Sequence, residues 1–94
     1  MLNRYVIERG VPGVGLNDQA GLCALSKVSN DALRKLGSRI QWVHSYVTRD
    51  KIFCIYLAEN VAAVREHARL SGFPADTITL VNAVIDPTTE RIRS

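Results

Sequence analysis

With 94 residues, 47% hydrophobic and 22% charged, the chain has the make-up of one globular domain and no room for a second core. The formal charge of +3 is scattered: Arg4, Arg9, Arg34, Lys35, Arg39, Arg65, Arg69, Arg91 and Arg93 form no block, which argues against a nucleic-acid binder and its basic stripe. No apolar run approaches the roughly 20 residues of a membrane span, and Met1 to Tyr5 has no signal-peptide core, so the expectation is a cytoplasmic protein without a membrane partner.

Leu2 to Arg9 reads as a strand, with Tyr5 and Ile7 on one face and Arg4, Val6 and Glu8 on the other. Gly10-Val11-Pro12-Gly13-Val14-Gly15 then breaks regular structure. Its glycines fit neither GxGxxG nor a Walker loop, and no Lys-Ser/Thr follows, so a plain turn is the reading. Asn17 or Asp18 caps a helix on which Leu22, Leu25, Val28 or Ser29, Ala32, Leu33 and Leu36 recur at helical spacing. Gly37 stops it. Cys23, among these residues, reads as a small buried hydrophobe.

A hairpin follows. Ile40 to Val47 and Ile52 to Leu57 flank the turn Thr48-Arg49-Asp50-Lys51. Two registers compete. A three-residue connection sets His44 opposite Cys54 and Trp42 opposite Tyr56; an even loop sets Ser45 opposite Cys54. The first gathers Val43, Ser45, Val47, Phe53, Ile55 and Leu57 on a packing face. Trp42, His44, Tyr46, Ile52, Cys54 and Tyr56 then share the other face.

Asn60 caps a second helix through Val61, Val64, Ala68 and Leu70, which Gly72 and Pro74 close. Thr77 to Ile85 is rich in β-branched residues and reads as a last strand. Asp86-Pro87 makes a turn, and residues 87–94 read as a polar, flexible tail of the single 1–94 domain.

The order β-α-β-β-α-β predicts an α+β ferredoxin-like fold: a four-stranded antiparallel sheet with two helices on one face. The bare face, carrying Trp42, Tyr46, Ile52 and Tyr56, calls for a cover, and a twofold homodimer is the simplest one. His44 and Cys54 on that face bring imidazole and thiolate together, donors that suit nickel, zinc or copper. Glu8 on the neighbouring first strand is a third candidate ligand. His67 on the second helix is the weakest of the four, since a solvent-facing histidine at a helix end explains it as well. Two donors alone are fewer than a metal site needs.

Tyr5-Val6-Ile7-Glu8-Arg9 with Pro12-Gly13, Ile40 to Val47, Asp50 to Tyr56, Arg65-Glu66-His67-Ala68, Gly72-Phe73-Pro74-Ala75 and Ile85-Asp86-Pro87-Thr88 carry a resemblance that spans nearly the whole chain. The chain resembles a family of small ferredoxin-like domains of unknown function whose best-known members are nickel-responsive, nickel-binding actinobacterial proteins. It departs from that pattern at Leu57-Ala58-Glu59, in place of an Ala-Pro pair, and at Ser71, in place of a second glycine. The resemblance implies a ferredoxin-like dimer that binds nickel or a related divalent metal, with His44, Cys54, Glu8 and His67 as candidate ligands, and a role in metal sequestration or homeostasis. It implies no named reaction.

Two other classes of function compete. A cofactor-free monooxygenase or isomerase on a dimeric ferredoxin-like scaffold would use His44, Tyr46 or Tyr56 for proton transfer, on fold analogy alone. An RNA-recognition module shares the element order, but Phe53-Cys54-Ile55-Tyr56 lacks its aromatic-and-glycine run.

Overall fold

The computed structural model describes residues 1–91. Strand β1 spans Asn3–Gly10, helix α1 Gln19–Leu36, strands β2 and β3 Ile40–Val47 and Lys51–Ala58, helix α2 Val61–Ser71, and strand β4 Thr77–Leu80. The four strands form one sheet in the order β2-β3-β1-β4, every pair antiparallel. This is the predicted α+β, ferredoxin-like arrangement.

The helices begin and end where their caps dictate. Asp18 accepts a hydrogen bond from the Gly21 amide, and Asn60 accepts one from the Ala63 amide, both at 2.9 Å. Gly37 and Gly72 close the helices with positive φ angles of 63° and 77°, a conformation open to glycine without strain. The helical stripe of α1 points inward at Ser29, Ala32 and Leu36, whereas Cys23 is exposed rather than buried. Cys23 lies between Leu22 and Ala24, off the stripe, so helical geometry turns it outward.

The glycine-rich segment after β1 is a clamp on the hairpin. The Val11 and Gly15 amides donate to the carbonyls of Asp50 and Arg49, both at 2.9 Å, and the Gly13 amide donates to the Asp50 carboxylate, also at 2.9 Å. A β-carbon on Gly15 would stand 2.6 Å from the Thr48 carbonyl oxygen, so only glycine admits this approach. The backbone donors of the segment are consumed by the turn, in keeping with the plain-turn reading.

The core under the sheet is built from Tyr5 and Ile7 of β1, Leu36 of α1, Ile40 of β2, Cys54, Tyr56 and Ala58 of β3, and Ala63 and Val64 of α2. Thus β3 turns Ile52, Cys54 and Tyr56 toward the helices. Phe53, Ile55 and Leu57 fall on the open face, the reverse of the expected assignment. β1 decides the matter. Tyr5, Ile7 and Arg9 are buried and lie opposite Tyr56, Cys54 and Ile52, so these partners share their side of the sheet.

β4 ends at Leu80, not at Ile85. Val81 still donates to the Arg4 carbonyl at 2.9 Å, but β1 starts at Asn3, and an edge strand that outruns its only neighbour has nothing left to pair with. Asp86 accepts from the amide and hydroxyl of Thr88, at 2.8 and 2.6 Å, and so starts the 3-10 turn Pro87–Arg91. The expected tail is a turn as far as Arg91; residues 92–94 lie outside the described residues.

Candidate functional site

The hairpin register decides what the sheet can do. The Thr48 amide donates to the Lys51 carbonyl at 2.8 Å, and Val47 lies opposite Ile52, so the loop is even. Ser45 therefore faces Cys54, and His44 faces Ile55. A β-bulge between Trp42 and His44 absorbs Val43 and restores Trp42 to its place opposite Tyr56. Through this bulge Trp42 lies against the core while His44, two positions on in sequence, stands on the open face.

His44 is exposed. Its Nε2 lies 3.1 Å from the Tyr46 hydroxyl, and the two rings meet edge-on with centroids 5.0 Å apart. Arg4, Val6, Ile55, Val81 and Val84 complete a shallow hollow of about 220 Å³ around this pair. The imidazole is accessible and held by a neighbour, as a ligand or proton-transfer group would be.

The other three candidates lie elsewhere. Cys54 is 5% exposed on the helix side of the sheet, so the expected meeting of His44 and Cys54 does not occur: the sheet stands between them. Glu8 is on the same face as His44 but two strands away, roughly 10 Å by strand spacing, and its carboxylate binds Lys51 Nζ at 2.7 Å. That ion pair holds the Lys51 ammonium above its ordinary pKa. His67 is no surface residue; it is completely buried on the inner face of α2. Its Nε2 lies 3.2 Å from the Ser29 hydroxyl, its ring packs 5.0 Å from that of Tyr56, and its Nδ1 has no partner. Burial first, and the charge of Arg9 second, push its pKa down to about 4, so the ring is neutral. Among the described residues no three His, Cys, Asp or Glu side chains come together as a metal site.

One group escaped the sequence reading. Arg9, at the end of β1, is 1% exposed on the helix side, against Tyr56 and Phe73. The signal was present: Arg9 continues the Tyr5, Ile7 alternation and must point where they point. Tyr56 beside it is held above the usual phenol pKa by burial, and so is a neutral phenol.

A family model described as nickel responsive protein SCO4226-like matches residues 5–81. The chain belongs to this family. The crystal structure of SCO4226 from Streptomyces coelicolor A3(2) superposes with a TM-score of 0.72 over 87% of this chain and 99% of that one, at 15% sequence identity, which establishes the shared fold. No curated protein matches the sequence. Family members are thus called nickel-responsive, and in this chain His44 is the one exposed imidazole among the described residues.

Proposed function

We propose that this protein binds nickel, or a related divalent metal such as zinc or copper, as a cytoplasmic homodimer whose subunits meet at their open sheet faces, and that it serves metal sequestration or homeostasis. His44 is the ligand on each subunit, and Tyr46 orients its ring. The family assignment supports the metal. The observation that carries the site is the exposed, hydroxyl-braced imidazole of His44 on a sheet face that no helix among the described residues covers.

One copy alone does not fit a complete site, because His44, Cys54, Glu8 and His67 lie in four separate places. A twofold pair whose axis passes beside His44 would bring two imidazoles together, with the neighbouring Tyr46 hydroxyls and water as the further donors. The open face favours such pairing. Tyr46 and Val84, which line the hollow around His44, are 59% and 66% exposed, a surface that a second copy would cover. No helix among the described residues is long and apolar enough to cross a membrane.

Equilibrium dialysis against nickel, with sedimentation velocity on the same samples, tests the reading. The wild type should retain metal as a dimer. His44→Ala should lose it, and Cys54→Ala should keep it. Retention by His44→Ala at the wild-type level removes this site.

A further inference from the structure

The second chemically marked place in the molecule lies on the other side of the sheet. Between α1 and the hairpin is a partly open cavity of about 160 Å³, walled by Leu22 and Leu25 of α1, Trp42 and Val47 of β2, Ile52 of β3, and Phe73 after α2. That is close to the volume in which an apolar cavity accepts a single benzene ring. Among the described residues, Arg9 is the only charged one in the lining.

The hydrogen bonding of Arg9 is incomplete in a specific way. Nη1 donates to the Pro74 carbonyl at 2.6 Å. Nε and Nη2 are buried and have no partner. These two nitrogens form one edge of the guanidinium and present parallel N–H donors, the fork that matches the two oxygens of a carboxylate. None of the ion pairs among the described residues involves Arg9. Asp76 is turned to the Gly10 amide, and Glu8 is on the opposite face. A guanidinium 1% exposed with two free donors is costly unless an anion joins it. The Tyr56 and Phe73 rings, 5.9 and 5.8 Å from its central carbon, supply only part of that compensation.

We infer that this cavity binds a small organic carboxylate of about single-ring size, its two oxygens paired with Arg9 Nε and Nη2 and its hydrocarbon body among Leu22, Leu25 and Trp42. The apolar walls select an acid with a hydrocarbon body over inorganic phosphate or sulfate. This site is independent of the proposed metal site, from which the sheet separates it.

Trp42 is the sole tryptophan and lines the cavity, so its fluorescence reports occupancy. Benzoate and hexanoate are titrated into the full chain, with benzyl alcohol as the uncharged match to benzoate. Benzoate should bind at least about tenfold more tightly than benzyl alcohol, the fork being a charge-assisted pair. Arg9→Gln should erase that preference. Leu25→Phe, which keeps Arg9 and fills the cavity from α1, should weaken both ligands, and it decides the matter by calorimetry should Arg9→Gln fail to fold. Benzoate affinity should be the same with and without chelator, since the sheet separates this cavity from the proposed metal site. Equal binding of benzoate and benzyl alcohol, an unaltered benzoate affinity in Leu25→Phe, or no saturation by either acid up to about 10 mM overturns the inference.

Discussion

The Ser29 hydroxyl of α1 and the His67 ring of α2 lie 3.2 Å apart beneath the sheet and join the two helices through a buried polar contact. The ring has Tyr56 of β3 on one side and feels the positive charge of Arg9 of β1, with no carboxylate bonded to it. Both surroundings disfavour a proton on it.

This contact makes stability depend on pH in a defined window. His67 titrates near 4 in the folded chain and near 6.5 in the unfolded one, so the unfolded state binds the extra proton. Stability is full above pH 6.5, falls as pH drops toward 4, and loses about 3 kcal/mol from this group at most. Urea midpoints measured between pH 7 and 4 should show the slope. His67→Leu should flatten it.

Thiol reactivity should separate the cysteines. Cys23 is exposed on α1, whereas Cys54 is buried under the helices. A thiol reagent should modify one cysteine rapidly in the native protein and the second only on unfolding, with Cys23→Ser removing the fast phase. Rapid modification of Cys54 in the native chain would contradict the inward placement of β3.

Replacing Gly15 by alanine should weaken the grip of the first loop on the hairpin. The added carbon meets the Thr48 carbonyl oxygen and the Arg49 Cα, at 2.6 and 2.7 Å, and backbone must move. A loss of about 1–3 kcal/mol is expected by denaturant titration. Gly13→Ala should also destabilise, by backbone strain at φ 76° rather than by contact, since nothing lies within 4 Å of its added carbon.

Asn60→Ala removes the side-chain acceptor that caps α2 through the Ala63 amide. The cost should be about 1 kcal/mol. Asn60→Asp should retain most of the stability, because a carboxylate oxygen caps as well. Equal thermal midpoints for Asn60→Ala and wild type would show that water satisfies the amide instead.

The parts of the fold legible in the sequence are those fixed by local chemistry. Asp18, Asn60, Gly37 and Gly72 mark helix ends wherever they stand, and the alternation of Tyr5, Ile7 and Arg9 against Arg4, Val6 and Glu8 gives β1 its faces. The faces of the hairpin were not legible. β3 is apolar from Ile52 to Leu57, so pattern alone cannot say which side is inner. β2 carries a bulge, which no count along the strand reveals. The face of β3 is set by its contact with β1, more than forty residues away in sequence, as the Tyr5–Tyr56 pairing shows. The expected meeting of His44 and Cys54 depends on that face: His44 stands on the open side, Cys54 lies on the helix side, and the burial of Arg9 follows from its position in β1.

The extra residue at Val43 has a wider consequence. Deleting it would leave an unbroken ladder with the tryptophan still against the helices and the histidine still facing outward. Relatives one residue shorter at this point would therefore present the same imidazole from the same place in space. A gap there in an alignment marks a change in strand length alone, and counting from the tryptophan is a poor guide to which chains share this surface chemistry.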